Sequence, residues 1–215
     1  MASHSITVDR EAALRRGRRL EYFTVAWNSL EALASIVAGV LAGSVALVGF
    51  GLDSVIETIS GAALIWRLHH SNDVAHRREA AERIALKVVG ICFVLLSLYV
   101  LIDSAHALLT REAPEHSIFG IVIAIVSVIA MPLLARAKRK VATAISSNAM
   151  QADSRQTDLC AYLSAIVLAG LSLNAILGWW WADPVAGLLM VPIIAREGYE
   201  ALRGKDCGCH GTECQ

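Results

Sequence analysis

Ser44-Val-Ala-Leu-Val-Gly-Phe-Gly-Leu-Asp-Ser-Val-Ile-Glu-Thr-Ile-Ser-Gly-Ala-Ala-Leu-Ile-Trp-Arg-Leu68 is long enough to cross a bilayer, yet it carries Asp53 and Glu57 near its middle. A carboxylate at that depth costs roughly 2.5–3.5 kcal/mol even on lenient insertion scales, so such residues mark ion or proton paths by default. At 3.6 residues per turn, the i, i+4 spacing leaves the two side chains only about 40° apart on the helix. Two oxygen ligands one turn apart can grip a single metal ion.

Outward from this stretch lie further apolar runs at Tyr22–Ala42, Ile84–Leu109, Ser117–Leu134, Ser147–Leu171 and Ala182–Tyr199. Each approaches the roughly 20 residues that a span requires. The chain of 215 residues is 56% hydrophobic, above the roughly 45–50% of a soluble domain. These observations predict an all-α integral membrane protein with six transmembrane helices. The domain expectation is a basic N-terminal segment over 1–19, one transmembrane unit over 20–203 and a Cys/His-rich tail over 204–215.

Net charge is zero, but its distribution is lopsided. Arg10, Arg15, Arg16, Arg18 and Arg19 precede the first span, and Arg67, Arg77, Arg78, Arg83 and Lys87 surround the second connection. Arg136, Lys138, Arg139 and Lys140 surround the fourth, whereas the alternate connections carry only Arg111. Under the positive-inside rule both termini are cytoplasmic, and Trp179, Trp180 and Trp181 fall in the opposite aromatic belt. The expected location is the cell (inner) membrane, as a multi-pass protein. No signal peptide is expected, because the first apolar run is too long and lacks a small-residue cleavage site. Basic residues on one membrane face point to lipid headgroups rather than nucleic acid. No phosphate loop, dinucleotide fingerprint or nucleophile elbow is present, and no nucleophile–base set accompanies the acids, so no enzyme is expected.

Depth follows from the helical rise of about 1.5 Å per residue, which puts Glu31 roughly 16 Å, Asp53 roughly 14 Å and Asp158 roughly 16 Å into the membrane. With a hydrocarbon core of about 30 Å, carboxylates from three helices meet near the midplane. Glu57 and Asp153 lie somewhat nearer the basic side. Crowded like charges in low dielectric cannot all ionise without a cation. Arg155 is the one basic residue that these runs offer as a counter-charge. Asp153 and Asp158, five residues apart, diverge by about 140°, so Ser154 and Asp158 make the better geometric pair. Asn28 and Glu31 add an amide and a carboxylate from the first helix.

The stretch from Gly43 to Glu57 resembles the second-helix motif of the cation diffusion facilitators, in which an entry of the Gly-Ser-Leu-Ala type leads to His or Asp, three residues and Asp. Ala152-Asp-Ser-Arg-Gln-Thr-Asp158 resembles the family's fifth-helix motif, and Trp181-Ala-Asp-Pro-Val-Ala-Gly-Leu-Leu189 its sixth-helix start. The resemblance, over about 20–203, implies a homodimeric metal–proton antiporter that exports divalent cations by alternating access. The tetrahedral site it implies falls on Asp53, Glu57, Ser154 and Asp158. Glu57 stands where the family has Asp, and Ser154 where it has His or Asp. Asp153 and Glu31 are therefore alternatives for the missing ligand. The family's folded cytoplasmic C-terminal domain is expected to be absent.

The cargo expected first is Zn2+, with Co2+, Ni2+, Fe2+, Mn2+ and Cd2+ open, and protons are the counter-ion. All-oxygen sites favour harder cations, whereas carboxylates also bind zinc. Two secondary metal sites are candidates. One is His69, His70, Asp73 and His76 in the second connection; the other is Cys207, Cys209, His210 and Cys214 in the tail, a composition that signals metal. A metal sensor or adaptor acting through that tail is the alternative to an exporter. Cys92 and Cys160 read as small buried residues, and Asp183 as a cap of the sixth helix.

Overall fold

The computed structural model describes residues 2–69 and 75–203, and the side-chain surroundings of 12–66, 87–147 and 150–203. It consists of α1 (Ala2–Ala42), α2 (Val45–His69), α3 (Ala75–Thr110), α4 (Ile118–Ile145), α5 (Asn148–Leu177) and α6 (Ala182–Leu202), with no strand among the described residues. By length and composition, five of these helices can cross a membrane: α1 from Ala12, α2 to Trp66, α3 from Lys87, α4, and α5 from Met150. The sixth, 21 residues long, carries Arg196, Glu197 and Glu200 near its end. It nevertheless lies antiparallel along a spanning helix, from Gly198 and Leu202 against Gly90 to Gly187 against Ser104. The all-α membrane architecture expected from hydropathy is the one found.

Small polar residues and glycine set where the helices turn. Gly43 adopts φ +65, a left-handed conformation that costs glycine nothing. Ser44 then caps α2 by accepting the Leu47 amide at 3.1 Å. Ser117 caps α4 through the Gly120 amide, and Ser147 caps α5 through the Met150 amide. Pro132 and Pro192 lie inside α4 and α6 without ending them.

The α1–α2, α3–α4 and α5–α6 connections gather at one end, where the Glu115 amide donates to Ala42 O and the Asn174 side chain to Pro114 O. This is the tryptophan end, where the Trp179 and Trp181 rings stack with centroids 4.9 Å apart. Here Asp183 departs from the expectation of a sixth-helix cap. The N-cap of α6 is Trp181, with no side-chain cap bond. The Asp183 carboxylate instead reaches the start of α2, accepting from Ser44 Oγ at 2.5 Å. An anion there meets the positive end of the α2 dipole and ties α6 to α2.

Packing divides the bundle in two. One group comprises α1, α2, α4 and α5; the other is the α3–α6 pair, which joins the first through α2 and α5. A Cβ on Gly198 would lie 3.0 Å from Gly90 O, so the α3–α6 crossing requires bare backbone, as in small-residue membrane packing. At the opposite, basic end, Leu64, Val141, Ala142, Ile145 and Met150 form a second apolar cluster, against which Ala13, Leu14 and Leu20 pack. Residues 2–19 belong to α1, the helix that continues as the first span, and Ala13 and Leu14 pack this part against the bundle.

Candidate functional site

Four helices turn polar stripes inward. On α1, Glu21, Thr24, Asn28, Glu31 and Ser35 recur at three- and four-residue steps, the spacing of one helix face. All are buried, while Tyr22, Phe23, Leu30, Leu33 and Val37 face outward. The matching face of α5 carries Asp153, Thr157, Cys160 and Ser164, and α2 contributes Asp53, Ser54 and Glu57. Ser127 and Lys138 come from α4. Apolar side chains face lipid and polar ones face each other, which is how a membrane bundle satisfies polar groups.

Nearer the tryptophan end, Glu31 is held by neutral donors. Ser54 Oγ donates to its Oε2 at 2.9 Å, Ser127 Oγ donates to its Oε1, and the Cys160 thiol donates to Oε2 at 3.9 Å. Asp53 is buried, and the charged groups around it are Glu57, Glu31 and Glu197, all acidic. Glu57 Oε1 accepts from Thr157 Oγ1 at 2.8 Å, whereas its Oε2 is buried without a hydrogen-bond partner. Asn28, one turn from Glu31, has both side-chain polar atoms buried and unpartnered. A buried polar atom without a partner is rare and calls for an explanation such as an ion or water.

Nearer the basic end, the acids have a cation of their own. Lys138 is wholly buried. Its Nζ pairs with Asp153 Oδ2, lies 3.4 Å from Glu21 Oε2 and donates to Thr157 Oγ1 at 3.2 Å. Thr157 thus links this group to Glu57. Arg139, its neighbour, pairs with Asp158 Oδ2 at 3.0 Å in a partly exposed position. The counter-charges are therefore Lys138 and Arg139 from α4. Arg155, the expected one, is exposed.

Of the seven midplane residues expected from sequence, Glu31, Asp53, Glu57 and Asn28 lie on the shared interior face of α1 and α2. Asp153 is buried but engaged by Lys138. Asp158 is turned to Arg139, and the Ser154 hydroxyl donates back to Gln151 O at 2.7 Å. Neither is brought to Asp53 and Glu57 in this arrangement. Among the described residues no three of His, Cys, Asp and Glu already stand as a metal-holding group. His70, Asp73, Cys207, Cys209, His210 and Cys214 lie outside the described residues. His69 and His76 sit on the ends of α2 and α3, and their side chains also lie outside the description.

Sequence reasoning missed Glu21, Lys138, Thr157 and Glu197. The polar period of α1 was the available signal for Glu21. Lys138 sits in the basic run 136–140, where it reads as an inside-loop charge.

Residues 22–204 match the family model described as the cation efflux transmembrane domain. The chain belongs to the cation efflux family. It is 27% identical to Transmembrane protein 163 of Xenopus laevis over 184 residues, covering 85% of this chain and 65% of that protein. It is 26% identical to Cation-efflux pump FieF of Shewanella oneidensis over 150 residues, covering 69% of this chain and 49% of the pump. The chain therefore spans less than two thirds of the length of either relative. The family match agrees with the resemblance drawn from the second, fifth and sixth helices.

Proposed function

We propose that this protein exports divalent metal cations from the cytoplasm in exchange for protons, by alternating access. Zn2+ is the first cargo, with Co2+, Ni2+, Fe2+, Mn2+ and Cd2+ as competitors, and the protein is not an enzyme. The observation that carries this reading is Glu31, Asp53 and Glu57 converging from two spanning helices, with only acidic groups around Asp53 among the described residues. Family membership and the printed name of the Shewanella relative support efflux. Protons fit as the counter-ion because carboxylates that release metal in low dielectric take up protons in its place.

The basic end faces the cytoplasm in this reading, so both termini are cytoplasmic and the membrane is the cell (inner) membrane. Two copies form the working unit, and lipid headgroups meet the arginines of α1. Metal flux into proteoliposomes under a pH gradient tests the proposal. Asp53→Ala and Glu57→Ala are each expected to reduce flux to background while eluting as folded protein. Undiminished flux in both variants would sink it.

A further inference from the structure

The cluster around Asp53 and Glu57 gains nothing from Ser154, yet α5 does present a metal-binding atom to it. Cys160 is buried on the inward face of α5, one turn beyond Thr157, and only 1% exposed. The charged groups facing its thiol are Glu57, Glu31 and Asp53. Two independent observations point to a ligand there: Glu57 Oε2 is buried with no hydrogen-bond partner, and both polar atoms of Asn28, a turn from Glu31, are buried and unpartnered.

Spacing supports coordination. With Zn–S near 2.3 Å and Zn–O near 2.1 Å at a tetrahedral angle, the S···O edge of a zinc site is about 3.6 Å. The Cys160 Sγ to Glu31 Oε2 distance is 3.9 Å. A shift of a few tenths of an ångström would bring this pair to a ligand edge. Ser54 and Ser127, which hold Glu31 by hydrogen bonds, then act as its orienting shell.

We infer that Cys160 is the fifth-helix ligand of the transport site, closing on the metal together with Glu31, Asp53 and Glu57. On binding, the S–H bond is replaced by an S–metal bond and the proton leaves to solvent. One sulfur among oxygens shifts preference toward Zn2+ and Cd2+ and away from Mn2+. This inference rests on the exporter reading for the site's existence and adds the identity of its soft ligand.

The test uses the full chain with Cys92, Cys207, Cys209 and Cys214 changed to Ser, so that Cys160 is the one thiol, and compares it with the same chain carrying Cys160→Ser. Cd2+ added to the first should produce an ultraviolet thiolate-to-cadmium charge-transfer band that is missing in the second. Cys160→Ser should weaken Cd2+ binding by about tenfold or more while leaving Mn2+ binding within about twofold, because manganese does not seek sulfur. A merely structural role would weaken both metals together, and Cys160→Ala provides a second variant should Ser disturb folding. Cd2+ bound without the band, and with equal affinity in both chains, overturns the assignment and leaves the exporter standing. No Cd2+ or Mn2+ binding by the Cys160 protein overturns both.

Discussion

The two parts of the polar column handle buried carboxylates in opposite ways. Near the tryptophan end, Glu31 is met by two serine hydroxyls and a thiol, which donate hydrogen bonds but carry no charge. Near the basic end, Glu21 and Asp153 are met by the ammonium of Lys138. Hydroxyl donors orient a carboxyl group without supplying a counter-charge, so the first part holds its acids by neutral contacts alone. The second supplies its own counter-charge in Lys138, although Glu21 Oε1 and Asp153 Oδ1 stay buried without a hydrogen-bond partner. Thr157, touching both Lys138 and Glu57, marks the border. In the proposed reading, one part receives the transported cation and the other holds the helices.

Removing the resident cation should therefore have the largest effect on stability. Lys138→Met leaves Glu21 and Asp153 buried without a partner, and breaking such a pair costs about 3–5 kcal/mol. Thermal unfolding in detergent should show that loss. Lys138→Met combined with Glu21→Gln and Asp153→Asn should recover most of it, since a neutral set needs no counter-charge. If the triple variant is no more stable than the single, the basic end is not held by charge pairing.

Glu31→Gln probes the other part and should separate fold from function. The amide keeps the size of the side chain, and a serine hydroxyl can rotate to accept where it had donated. Stability should fall by less than about 1 kcal/mol. Zn2+ affinity, measured by calorimetry, should fall by about tenfold or more, because one anionic ligand is gone. Equal damage to stability and binding would erase the contrast between the two parts.

That contrast was only half legible in the sequence. Asp53 and Glu57 stood out because charge in an apolar run is costly. The six helices followed from the lengths of the apolar runs, three of which begin at Ser44, Ser117 and Ser147, the residues that the structure shows capping α2, α4 and α5. The inward face of α5 was harder to read. Asp153 and Asp158 point about 140° apart, and spacing alone says only that they diverge. The Asp153–Thr157–Cys160–Ser164 stripe decides between them, but small residues such as Thr, Cys and Ser carry little weight beside two aspartates. Lys138 was hidden for a different reason. A lysine between two other basic residues looks like a loop charge until the α4–α5 hairpin folds it against Asp153.

Arg139 should give the smallest effect, and it bears on which α5 acid serves the site. Its pair with Asp158 is partly exposed, with side chains 43% and 25% accessible. Pairs of that kind contribute about 0–1 kcal/mol, so Arg139→Ala should barely move the unfolding temperature. Asp158 is nevertheless the acid that the sequence resemblance implies for the metal site, and in this arrangement it pairs with Arg139. Releasing it adds an anionic oxygen free to turn toward the interior of the bundle. If Asp158 alternates between Arg139 and the metal, Arg139→Ala should tighten Zn2+ binding, and adding Asp158→Asn should reverse the gain. If Asp158 stays outside the site throughout, neither change will alter affinity, and Cys160 is left as the α5 contribution.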